Sequence, residues 1–167
     1  MPLTPEDGSG LAAADSYCSA AEAAAHHASV GQADAWDAID DKDAAIRLAT
    51  KYLTQAYAGR WAGMRATSTQ ALDWPRSGVP WADSPLKWRS AVAVPPELKE
   101  ASAELALRTA SGPLLADLGR ETLSVTVDVI STTYAEGRSR QTKFEAVDSL
   151  LRPLLKTGGA SIPLVRS

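Results

Sequence analysis

Cysteine is almost missing from this chain: Cys18 stands alone among 167 residues. A single thiol excludes a disulfide within the chain, and nothing here points to an oxidising compartment. With no local histidine or basic residue to activate it, Cys18 reads as a small buried residue. Histidine is nearly as scarce, with only His26 and His27. They are neighbours on a helical stretch, so their side chains diverge and lack the i, i+4 spacing by which one helix face holds zinc. No apolar run approaches a membrane span, and the opening Met-Pro-Leu-Thr-Pro-Glu-Asp-Gly has neither the basic nor the apolar region of a secretion leader. The expectation is a protein made in the cytoplasm and kept there unless an assembly carries it elsewhere. Gly-x-Gly-x-x-Gly, the P-loop and the Gly-x-Ser-x-Gly elbow are missing too. Asp34, Asp37, Asp40, Asp41 and Asp43 crowd together without the sixth-position glycine and twelfth-position glutamate of a calcium loop. We therefore expect no enzyme, no catalytic residue, no metal and no cofactor.

What is present is unevenly placed. The length suits one domain with extensions, and 45% of the residues are hydrophobic, many of them alanine. Residues 1–56 hold nine acids and three bases, residues 57–94 two acids and five bases, and residues 95–167 nine of each. An acidic head and a basic middle suit contact between copies as well as they suit nucleic acid. The stretch 59–94 holds Trp61, Trp74, Trp81 and Trp88, four of the five tryptophans, interleaved with Arg65, Arg76, Lys87 and Arg89. Its prolines and glycines deny it a long helix or a central strand. It reads as a long irregular arm, and its indole content argues for order by packing rather than disorder.

Around the arm the pattern predicts about four helices and one β-hairpin, a mainly α bundle. Residues 1–18, rich in Gly, Ser and Ala, read as an extended arm. Ser19-Ala-Ala-Glu22 is a capping box that opens the first helix, which stops near Gly31. The aspartates then favour the start of a second helix, whose apolar stripe is Ala45, Leu48, Ala49, Tyr52, Leu53 and Ala56. Pro95-Pro96 opens a third, with Leu98, Ala101, Leu105 and Thr109 inward, and Gly112-Pro113 ends it. Leu123, Val125, Val127 and Val129 alternate with polar residues as a strand, paired into a hairpin at about 122–135. The last helix uses Phe144, Val147, Leu151 and Leu154, loosens at Pro153 and ends at Gly158-Gly159. This divides the chain into a helical domain, 1–158, and a tail, 159–167. The tail is either a frayed terminus or a strand lent to a partner's sheet edge.

Two functions fit the arm. As a stacking platform, its tryptophans and cations suit single-stranded nucleic acid without sequence preference. As interface anchors, the same Trp and Arg residues are those most often found at hot spots. Packing within the monomer is open to any one ring, but Ala-rich helices present little groove for all four.

Glu6-Asp7-Gly8 with Gly10, Ala14 to Tyr17, Arg47 to Leu53, Ala71-Leu72-Asp73-Trp74-Pro75-Arg76-Ser77-Gly78-Val79, and Pro95 to Leu107 followed by Gly112 carry a resemblance. They resemble a family of tailed phages and prophages labelled DnaT-like single-stranded DNA-binding protein. The order of elements is similar to that of head-tail connector, or adaptor, proteins. That resemblance implies a ring of twelve copies in the virion, assembled in the bacterial host cytoplasm. It also implies docking on the portal through Ile162, Pro163, Leu164, Val165 and Arg166, with a tail-completion or neck protein below and DNA passing through the channel. The DnaT-like label implies the alternative, single-stranded DNA binding in replication.

Overall fold

The computed structural model describes residues 2–115 and 143–156 and, as backbone strands, 124–127 and 130–133. Its helices are α1 (Ala20–Ser29), α2 (Ala33–Asp37), α3 (Lys42–Ala56), α4 (Pro96–Arg108) and α5 (Glu145–Leu151). Its strands form three antiparallel pairs: β1 (Met64–Arg65) with β2 (Arg76–Ser77), β3 (Pro80–Trp81) with β4 (Ser84–Trp88), and β5 (Ser124–Val127) with β6 (Ile130–Thr133). The protein is mainly α with a small β component, as the pattern predicts. The β5–β6 hairpin lies inside 122–135, with Val127 opposite Ile130. Residues 159–167, with the expected docking residues Ile162 to Arg166, lie outside the described residues. No helix among the described residues is long and apolar enough to cross a membrane.

Helix α4 is the hub, in contact with α1, α3 and α5. Pro95 and Pro96 start it where a missing N–H leaves nothing unpaired. Leu98, Ala101, Ser102, Ala103, Leu105 and Ala106 are all buried, so small residues let three helices approach it closely. Helix α1 starts on the capping box read in the sequence: Glu22 N–H donates to Ser19 Oγ (3.2 Å) and Ser19 N–H to Glu22 Oε2 (2.8 Å). Asp41 caps α3, accepting from Ala44 N–H at 2.9 Å. The last helix, expected to loosen at Pro153 and run to Gly158-Gly159, does not reach that far: α5 stops at Leu151 and gives way to a 3₁₀ turn over Arg152–Leu154, because Pro153 lacks the N–H that would continue it.

Three further expectations are corrected. The buried face of α3 is Ala45, Ile46, Ala49, Thr50, Tyr52 and Leu53, which keeps Ala45, Ala49, Tyr52 and Leu53 of the expected stripe, whereas Leu48 is 53% exposed. Contacts from α4 and α1 turn the helix toward its β-branched side, and Leu48 instead lines a cleft of about 600 Å³ with Tyr52, Gln55 and Leu114. Between the first two predicted helices the chain inserts α2, which buries Trp36 against the His27 ring at 5.0 Å. The N-terminal residues are also no extended arm. Glu6 N–H donates to the Ser16 carbonyl and Asp15 N–H to that of Thr4, and Tyr17 and Cys18 join the core.

Buried Glu6 holds that loop together. Its Oε1 accepts from Gly8 N–H (2.9 Å) and Gly10 N–H (2.8 Å), its Oε2 from Leu11 N–H (2.8 Å). Gly8 has φ +104°, and a Cβ there would meet the Val92 carbonyl oxygen at 2.4 Å, so only glycine lets this loop lie against the end of the arm. Glu6→Ala leaves three amide donors without their acceptor. It is expected to lower stability by about 3 kcal/mol, seen as a lower urea midpoint at unchanged slope.

Candidate functional site

The arm read as irregular carries two short ladders, β1–β2 and β3–β4, but its prolines and glycines keep backbone pairing that brief, so other carbonyls must find other donors. Side chains supply them. Arg76 donates to the carbonyls of Ala62 (2.7 Å), Gly63 (2.7 Å) and Asp73 (3.2 Å). Arg65, exposed along its stem, turns its guanidinium onto the carbonyls of Gln70 and Leu72. Buried Gln70 donates to Leu72 and Pro75 and accepts from Thr67 N–H. Gly63 has φ +64°, and a Cβ on it would meet the Ser77 carbonyl oxygen at 2.1 Å, so glycine is what allows β1 to lie on β2. The first half of the arm is thus an ordered loop bonded by its own side chains.

The four tryptophans split into two kinds. Trp61 is 1% exposed and Trp74 is fully buried. Their rings meet edge to face at 6.1 Å, and Trp61 continues to Tyr57 at 5.4 Å. Trp61 Nε1–H donates to Asp73 Oδ2 at 3.2 Å, while Asp73 N–H donates to the Tyr17 hydroxyl at 3.2 Å. Burial, then the Asp73 charge, pushes the Tyr17 hydroxyl far above its ordinary pKa, so it stays a neutral packing group. The Trp74–Pro75 peptide is cis. Ala62 N–H bonds the Leu154 carbonyl and Lys156 N–H that of Arg60, which ties the start of the arm to the 3₁₀ turn after α5 and the residues that follow it. Trp61 and Trp74 belong to the core, which corrects the expectation that they present faces to a partner. Trp61 packs on Tyr57 at the C-terminal end of α3, and both indoles join the one core cluster that also holds the buried faces of α3 and α4.

Trp81 and Trp88 stand on the β3–β4 hairpin and remain 43% and 61% exposed. Leu86 and Trp88 are two apart on β4 and share one of its faces, and Leu86 is 90% exposed. Lys87 and Asp83 are also exposed, and their charges cancel. Arg89 follows and is buried to 8%. Its guanidinium makes a two-pronged bond to Glu97 in the first turn of α4 (3.0 and 2.7 Å) and lies 4.2 Å from the Trp81 ring centre. Arg89 N–H also donates to the Val79 carbonyl at 2.8 Å, so this residue anchors the hairpin to the bundle.

Of the eight arm residues expected to meet a partner, Trp81, Lys87 and Trp88 are gathered on one exposed hairpin. Trp61, Trp74, Arg76 and Arg89 are taken up by the fold, and the Arg65 guanidinium is turned inward onto carbonyls. Leu86 and Val92, 74% exposed, join the surface without having been singled out. The period-2 pair Leu86 and Trp88 was the signal available for Leu86. The result is a nearly neutral aromatic and aliphatic patch held rigidly by Arg89.

No curated protein and no solved structure matches the chain. A family model with the description "Putative DnaT-like ssDNA binding protein" matches residues 1–167, its whole length, and the chain belongs to that family.

Proposed function

We propose that this chain is a non-enzymatic building block whose β3–β4 hairpin contacts protein, and that it serves as a head-tail connector of a tailed phage. In this reading it forms a ring, of twelve copies by the resemblance, between the portal and a tail-completion or neck protein, with DNA passing through the channel. One observation carries the choice: the exposed indoles stand on a hairpin whose two exposed charges, Asp83 and Lys87, sum to zero, and the arginine against Trp81, Arg89, is already ion-paired within the fold. Binding single strands without sequence preference needs ring faces for bases and a track of positive charge for phosphates. The hairpin offers the rings, but the formal charges of its exposed Lys87 and Asp83 sum to zero, Arg89 is paired with Glu97, and the guanidiniums of Arg65 and Arg76, though still charged, have donors committed to carbonyls of the arm. Protein interfaces favour aromatic anchors and few charges at the centre, which is what Trp81, Leu86 and Trp88 present. Docking of the tail 159–167 on the portal, assembly in the host cytoplasm and a final place at the head-tail junction rest on the resemblance. The alternative, single-stranded DNA binding in replication, draws support from the family description and from the two solvent-facing indoles.

Photo-cross-linking separates the two. With a photoreactive amino acid in place of Trp88, in cells producing particles, we expect a ladder at multiples of the chain's own mass and adducts to other virion proteins. Nuclease-sensitive adducts to single-stranded DNA, with no protein ladder, would overturn the connector reading. The double variant Leu86→Ser, Trp88→Ser is expected to change stability by less than about 1 kcal/mol, as for exposed sites, while abolishing the ladder formed through an unaltered site elsewhere on the chain. Purified protein is expected not to bind oligothymidylate at physiological salt. Tight, steeply salt-dependent binding lost in the same variant supports replication instead.

A further inference from the structure

Away from the arm, α1 and α4 bring three metal-ligating side chains together. His26 and His27 diverge as adjacent helical residues must, yet both reach α4. His26 Nε2 lies 3.1 Å from Glu104 Oε1, and His27 Nε2 lies 3.1 Å from the Ala103 carbonyl oxygen. The two rings stand edge to face with centres 5.2 Å apart. One ligand atom from each of His26, His27 and Glu104 falls within 4.8 Å of the other two. Spacing in the sequence gave no hint of this, because Glu104 lies 78 positions from His26.

Two details mark the cluster. A carbonyl oxygen only accepts, so His27 Nε2 carries the proton and Nδ1 is left a bare lone pair. That nitrogen is buried, in a residue with no exposed surface, and has no hydrogen-bond partner. Buried nitrogens without partners are uncommon and call for a physical reason. A neutral imidazole whose N–H is given to a backbone carbonyl is also how metal-bound histidines are normally held. The second detail is Glu104. Arg108 Nη1 binds its Oε2 at 2.7 Å, which orients the carboxylate and leaves Oε1 on the histidine side.

We propose that His26, His27 and Glu104 bind a divalent ion of the zinc class, with water as fourth ligand, as a clasp between α1 and α4. Two imidazoles and one carboxylate suit zinc and its neighbours rather than magnesium or calcium, which prefer oxygen ligands. Ligand atoms around one tetrahedral zinc stand about 3.3 Å apart, so the three atoms now within 4.8 Å of one another must draw closer for all to reach one ion. The His26 and Glu104 side chains are 16% and 17% exposed, which gives the ion a way in. The positive charge of Arg108 opposes the ion, so the affinity expected is well below that of a closed four-ligand site.

The test uses the full, untagged chain. Titration with Co²⁺ is expected to give one equivalent of a visible absorption band of four-coordinate cobalt, bleached by Zn²⁺. Zn²⁺ is expected to raise Tm, because an ion that binds only the folded state stabilises it. His26→Ala and Glu104→Gln each lower Co²⁺ affinity at least tenfold; His27 is left intact because it packs in the core. Trp36, stacked on His27, gives a local reading: Cu²⁺ quenches its fluorescence, and that share of quenching disappears in Trp36→Phe. A wild-type chain with no saturable cobalt band overturns the proposal. So does a band that survives unchanged in both ligand variants.

Discussion

Trp74→Ala is expected to remove about 3–5 kcal/mol of folding stability, the range for deleting a large buried aromatic. That is a large share of what a domain of this size possesses. Trp74 has no exposed surface, meets Trp61 edge to face, and lies beside the Asp73 to Tyr17 hydrogen bond. Its loss opens a cavity in the core beside Trp61 and Tyr17. The check is urea unfolding followed by far-ultraviolet circular dichroism, with Trp88→Ala as control. Trp88 is 61% exposed, and its removal is expected to move the midpoint little. Equal effects of the two substitutions would contradict the division of the four tryptophans into core and surface.

Arg89→Ala is expected to cost about 3 kcal/mol, the lower end of the range for breaking a buried ion pair by removing one partner. The Arg89 side chain is 6% exposed and that of Glu97 25%, so the orphaned carboxylate keeps some access to water, which favours that lower end. Arg89→Lys is expected to recover only part of the loss, because an ammonium cannot make the two-pronged bond to Glu97 and cover the Trp81 ring together. The double variant Arg89→Ala, Glu97→Ala should be more stable than Arg89→Ala alone. Trp81 fluorescence, read in a variant with the other indoles replaced by phenylalanine where folding permits, should shift toward that of a free indole as Arg89 leaves its face.

Much of the helical frame was legible because it rests on local rules. The Ser19–Glu22 box, the aspartates at the start of α3 and the prolines opening α4 act within a few residues of themselves, as does the loosening at Pro153, although the helix end expected at Gly158-Gly159 falls earlier, at Leu151. Their chemistry is the same in the sequence as in the fold. The buried face of α3 was less legible. Leu48 and Ile46 are both apolar and two apart, and only the direction from which α4 and α1 approach decides which is covered. The arm was the least legible. Interleaved Trp and Arg have the same signature on a stacking surface, at a protein interface and in a loop bonded through its own side chains. The cue that favoured the last was the shortage of backbone donors in a stretch rich in proline, which leaves carbonyls such as those of Ala62 and Leu72 for Arg76 and Arg65 to satisfy.

Taken by itself, the order of residues determined a mainly α chain with caps and breaks in their places, an aromatic arm too rich in indole to stay in water, and a family resemblance over most of its length. The tertiary structure alone decided which indoles are core and which are surface, which guanidiniums are paired, and that His26, His27 and Glu104 meet. The reason is range. Capping and periodicity act between residues three or four apart, whereas burial of Trp74, pairing of Arg89 and the approach of Glu104 to His26 depend on where distant segments pack.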